Sequence, residues 1–160
     1  MNPVAWMIGL ILPACGLPAA EGLPTPPPRD TAQIVRPASP NTALAGPEGF
    51  NPPPDIVTPS YPLQADRLFF AIQAVASGQP RTYPTALYPD RLQAHYVART
   101  AVLNFPDLIM VQVTPVSRDS STLIIYSRSV YGQSDLGVNR KRVDIWLAAL
   151  KTKIPSSSER

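Results

Sequence analysis

Residues 94–128, AHYVARTAVLNFPDLIMVQVTPVSRDSSTLIIYSR, decide the fold. β-branched and aromatic residues concentrate in three runs, Ala94–Phe105, Leu108–Thr114 and Thr122–Arg128, and such residues suit a pleated, half-buried surface. The connections at Asn104–Asp107 and Pro115–Ser121 are of hairpin length, so the stretch predicts an antiparallel meander, with Arg81–Leu87 as an added edge strand.

Helical patterns lie on either side. Upstream, Leu68, Phe69, Ile72, Val75 and Ala76 recur at helical spacing within Leu63–Ser77, and Gly78 and Pro80 stop the helix. Downstream, a helix starting near Asn139 places Val143, Trp146, Leu147 and Leu150 on one face. Two helices on one side of a small antiparallel sheet of three to four strands make an α+β domain, expected over residues 63–153, with 154–160 as a disordered tail.

The chain has 160 residues, enough for one domain and its tails. Of its 21 prolines, 13 fall in residues 16–62, which also carry little charge, whereas residues 63–160 hold 6 prolines and a net charge of +5. Proline interrupts helix and sheet interiors and favours extended chain, so 16–62 is expected to be a flexible Pro-rich linker. One cysteine and one histidine exclude an internal disulfide framework and a structural zinc site of cysteine and histidine. No metal site and no cofactor is expected.

No charged side chain precedes Glu21, and Val4–Leu12 is almost wholly apolar, the length of a signal-peptide hydrophobic region but too short to span a bilayer. It runs into Leu12-Pro13-Ala14-Cys15-Gly16, which resembles the bacterial lipobox. The resemblance implies cleavage before Cys15 and acylation of its thiol, so residues 1–15 read as a lipoprotein signal and Cys15 as the attachment point to a lipid bilayer, on the periplasmic side of the envelope. Pro13 and the lack of Lys or Arg in the leader depart from the lipobox pattern. Ordinary secretion, an uncleaved anchor and a buried cytosolic cysteine are the alternatives.

The string SRSVYGQSDLGVNRKRVDIWLAAL from Ser127, together with FPDLIMVQV from Phe105, resembles the bacterial family catalogued as domain of unknown function 1499. The signature is a strand ending in Ser-Arg-Ser, a loop with Gly and Asp, and Gly-x-Asn-Arg-x-Arg opening a helix with a Trp-Leu pair. The likeness runs from about Pro62 to Leu150 and implies a prokaryotic envelope setting and a compact α+β module, with no catalytic residue to carry over.

Arg140, Lys141 and Arg142 occupy the first turn of the last helix, where cations oppose the helix dipole at about 0.3–1 kcal/mol each. Two readings offset that cost. Arg140, three residues before Val143, pairs with Asp135 or Asp107, or the helix start binds an external carboxylate or phosphate. Arg128, Ser134, Asp135, Asn139, Arg140 and Arg142 are therefore the candidate anion or partner site, with Lys141 projecting outward.

The stretch from Gly132 to Gly137 fits neither a nucleophile elbow nor a phosphate-binding loop, and His95 is the only base a serine triad could use. A pI near 9.2 comes without any nucleic-acid-binding motif, so an anionic head group or an acidic envelope protein is the expected partner, and nucleic acid is not. The first functional reading is a non-enzymatic, membrane-tethered envelope module. The alternative is an envelope hydrolase acting on an ester or phosphorylated component through Ser127, Arg128, Ser134, Asp135 and Arg140.

Overall fold

The computed structural model describes residues 13–154, and the apolar leader and the last six residues lie outside that range. Six strands form one sheet: β1 (Thr42–Pro47), β2 (Ile56–Thr58), β3 (Thr82–Tyr88), β4 (Gln93–Arg99), β5 (Pro106–Ser117) and β6 (Ser120–Ser129). Their order is β2-β1-β6-β5-β4-β3. Every neighbouring pair is antiparallel except β1 and β2, which are parallel. The helices are a single turn, α1 (Pro13–Gly16), then α2 (Ala65–Ser77) and α3 (Val138–Lys153).

The α+β class and the β3–β6 meander agree with the sequence pattern. The expected three to four antiparallel strands become six in a mixed sheet, because β1 and β2 come from the stretch 16–62 that was expected to be linker. β1 pairs Thr42–Ala45 with Ile125–Arg128, and Ala43, Leu44 and Ala45 are buried. A strand of six residues that ends at Pro47 is too short to show a clear period of two, and proline is tolerated where a strand ends.

α2 and α3 cover one face of the sheet. Leu68, Ile72 and Val75 from α2 and Val143, Trp146 and Leu150 from α3 pack on Ala43, Ala45, Ile109, Val111, Leu123 and Ile125. Trp146 meets Tyr96 edge to face at 5.7 Å between ring centroids, the geometry that the ring quadrupoles favour.

The opposite face is covered by the proline-rich segment itself. From Ala14 to Val35 the chain crosses the sheet as a strap, with almost no regular structure beyond α1 and a 3-10 turn at Thr31–Gln33. Arg99, 4% exposed, donates to the carbonyls of Ala14, Ala19, Glu21 and Asn104. Asn104 Nδ2 donates to the carbonyls of Cys15 and Leu17, and Tyr88 Oη to that of Pro26 at 2.6 Å. Gln93 bonds both sides of the Arg29 peptide unit, each at 2.8 Å. Ile34 closes the strap by packing with Leu44, Met110, Ile124 and Tyr126. Composition alone reads such a segment as tether because proline removes the donor a ladder needs. Proline keeps its carbonyl, and here the sheet supplies the donors.

Candidate functional site

The residues expected at the start of the last helix separate into a closed network and a solvent-facing set. Asn139, fully buried, donates through Nδ2 to the Asn41 carbonyl, Ser129 Oγ and Asp135 Oδ2, at 3.0, 3.0 and 2.7 Å. Its Oδ1 accepts from Ser127 Oγ at 2.5 Å and from Arg142 Nη1 at 2.7 Å. Arg142 Nη2 pairs with Asp107 Oδ2 at 2.6 Å, and both side chains are largely buried. Asp107 Oδ1 accepts from Ser129 Oγ at 2.7 Å.

The place an anion would take at the helix start is filled by Asp135, whose carboxylate accepts from Gly137 N at 3.0 Å and Asn139 N at 2.7 Å. Gly137 holds φ +79 there, a left-handed conformation that disfavours any side chain.

Arg140 does not make the expected pair with Asp135 or Asp107. It lies at the surface, 3.4 Å from Asp144 one turn on, with both side chains about half exposed. Helix α3 presents Asn139, Val143, Trp146 and Leu150 to the sheet, so the position four before Val143 faces inward and the one three before it faces out. Arg142 takes Asp107 instead. Among the described residues Ser134 accepts only from Leu136 N, in an exposed loop, and Lys141 is exposed as expected.

Arg128 is not part of this network. Ser127 is bonded to Asn139 on the helix side, and the next residue of a strand points to the other face, which puts Arg128 under the strap. The hydrolase grouping is thereby divided between two faces. His95 lies on the strap face as well, its Nε2 3.0 Å from Gln93 Oε1, whereas Ser127 and Ser134 are on the helix side.

Under the strap, Arg128 lines a cavity of about 170 Å³ whose floor is β4–β6 and whose roof is Pro24–Pro27 and Arg29. Leu108, Met110 and the prolines line it, together with Thr25, Thr85, His95 and Tyr126. A groove of about 390 Å³ adjoins it and shares Arg29, Tyr126 and Arg128. Among the described residues no carboxylate lines either space, and neither Arg29 nor Arg128 has a salt bridge.

Two residues of the cavity wall, Tyr126 and Thr85, carry buried hydroxyls that have no hydrogen-bond partner among the described residues. Buried polar atoms are nearly always satisfied, and here two belong to the wall of one cavity. Burial, then the neighbouring Arg29 charge, holds Arg128 below the usual arginine range and lowers His95 to about 4. Burial raises Tyr126, against the charges of Arg128, Arg36 and Arg29. The cavity therefore carries an uncompensated positive field. Strand alternation places Tyr126 and Arg128 on one face at i and i+2, and that signal was available in the sequence. Arg29 and Thr85 gave none.

Cys15 is buried within α1, and burial raises its thiol pKa while Arg99 opposes the rise. Among the described residues no group of three or more His, Cys, Asp or Glu side chains could hold a metal, and no helix is long and apolar enough to cross a membrane.

The fold resembles that of a protein from Nitrosospira multiformis, with a TM-score of 0.52 at 10% identity over 74% of this chain and 99% of that one. The di-domain ARO/CYC BexL from the BE-7585A biosynthetic pathway aligns with a TM-score of 0.48 at 14% identity, over 69% of this chain and 45% of that one. A protein of Thermus thermophilus aligns with a TM-score of 0.39 at 8% identity, over 70% of this chain and 95% of that one. No curated protein matches the sequence. The match to a family model extends over residues 26–150, taking in the second half of the strap, β1 and β2 as well as the meander and helices, and by it the chain belongs to the family described as protein of unknown function, DUF1499.

Proposed function

We propose that this protein is a non-enzymatic binding module of the bacterial envelope, tethered through Cys15, that takes a small anionic ligand into the cavity between strap and sheet. The observation that carries the reading is the pairing of a carboxylate-free cavity with Arg128 and the unpartnered Tyr126 hydroxyl. Arg128 is partly buried beside the exposed Arg29, and an anion held between the two guanidiniums would offset the cost of that burial. Catalysis is not favoured, since no serine or cysteine shares the cavity with His95.

The tether is supported by the apolar run Val4–Leu12 and by Leu12-Pro13-Ala14-Cys15. Acylation requires α1 to leave its seat. Cleavage before Cys15 assists this by removing Ala14, whose carbonyl is one of those holding Arg99.

Thermal unfolding against a panel of small organic and inorganic anions at constant ionic strength tests the ligand reading. At least one anion should raise the Tm of wild type and not of Arg128→Gln. Without ligand, the variant should melt at or above wild type, because it loses a repulsion from Arg29. A panel in which no anion separates the two proteins refutes the proposal.

A further inference from the structure

The charged and apolar parts of the cavity are not mixed. Arg29, Tyr126 and Arg128 belong to both the cavity and the adjoining groove, so they stand at the junction of the two. Leu108 and Met110, on the strap face of β5, line the cavity and not the groove. Thr85, at the far side, is on β3, three strands from β6. At about 4.8 Å per strand that separation is roughly 14 Å. The space is thus elongated across the sheet, cationic at the junction, with Leu108 and Met110 on β5, His95 on β4 and Thr85 on β3 along its length.

Its volume of about 170 Å³ compares with roughly 150 Å³ for an apolar cavity that takes benzene. Inorganic phosphate would occupy the junction and leave the apolar length unfilled. A neutral hydrocarbon would fill the length and leave two guanidiniums unpaired. Only a molecule with both parts meets the cations and covers the apolar wall together, and a planar carboxylate matches the forked donors of an arginine.

We infer that the ligand is a slender amphipathic monocarboxylate, its head held by Arg29 and Arg128 at the junction and its apolar body lying across β5 and β4 toward Thr85. This rests on the anion-binding reading of the same cavity and narrows it to one chemical class. The strap contributes Arg29 to the head and Pro24–Pro27 to the body, so the ligand also bridges strap and sheet.

Binding of four probes to the full chain, by calorimetry at constant ionic strength, tests the class: hexanoate, acetate, 1-hexanol and inorganic phosphate. Each buried methylene contributes roughly fourfold in affinity, so hexanoate should bind on the order of 100-fold more tightly than acetate. It should also bind at least tenfold more tightly than phosphate or 1-hexanol. Arg128→Gln should remove the preference for hexanoate over 1-hexanol. Leu108→Phe, at a half-buried position, should weaken hexanoate and spare acetate. Acetate or phosphate binding as well as hexanoate, with loss in Arg128→Gln, would overturn the amphipath and leave the anion site standing. Hexanol binding as well as hexanoate, or no binding of any probe, would overturn both readings.

Discussion

Replacing Arg142 with methionine should be among the most damaging single changes in helix α3. The Asp107 side chain is 3% exposed and that of Arg142 13%, with 2.6 Å between Oδ2 and Nη2. Removing the guanidinium leaves Ser129 Oγ as the remaining side-chain partner of the Asp107 carboxylate. Ser127 and Asn139 lose a donor each but keep their 2.5 Å bond to one another, so most of the cost is the orphaned buried charge, about 3–5 kcal/mol. That is a large part of the roughly 5–15 kcal/mol that holds a domain together. The double variant Asp107→Leu/Arg142→Met removes both charges and should recover most of the loss, since hydrophobic replacement of a buried pair is often close to neutral. Arg140→Ala provides the contrast: its pair with Asp144 is exposed and should contribute no more than about 0.5 kcal/mol. Urea unfolding read as a midpoint shift at constant slope separates the three. A loss under about 1 kcal/mol in Arg142→Met, or an equal loss in Arg140→Ala, would show that the network does not anchor the helix.

His95 is the only histidine in the chain, and in the fold its pKa is lowered to about 4 from 6.5. The folded state binds fewer protons than the unfolded state between those values, so stability is complete above pH 6.5 and falls as pH drops toward 4, by up to about 3 kcal/mol. His95→Gln should flatten that part of the stability profile, and an unchanged slope would refute the assignment. For the tether, Cys15→Ala should move the protein from the membrane fraction to the soluble envelope fraction, and retention in membranes would refute acylation at that position.

The meander was legible from runs of β-branched and aromatic residues separated by connections of hairpin length, and the two longer helices from apolar positions at helical spacing. The site was less legible, for reasons that individual residues show. Ser127 and Arg128 are adjacent in sequence and were grouped, yet a strand sends neighbours to opposite faces, so one joins the Asn139 network and the other the strap cavity. Arg140 and Asn139 differ by one position, and a turn of about 100° decides which faces Asp135. Helical spacing from Val143 admits both the third and the fourth preceding residue, and only packing against β6 selects Asn139.

The strap was illegible for a deeper reason. Its partners are single side chains far away in sequence: Arg99 for Ala14, Ala19 and Glu21, Tyr88 for Pro26, and Gln93 for Arg29. None of these leaves a period in the strap's own sequence. A segment held mainly through its carbonyls needs few backbone donors, so 13 prolines in residues 16–62 are compatible with docking as well as with disorder. The buried polar residues on the receiving sheet face carried the missing signal. Gln93, His95 and Arg99 alternate along β4, and all three are buried. A polar stripe on a strand that is buried on both faces demands partners, and in this chain the strap supplies them to Gln93 and Arg99, while His95 bonds Gln93. The same requirement is unmet, among the described residues, at Tyr126 and Thr85, two residues of the cavity wall.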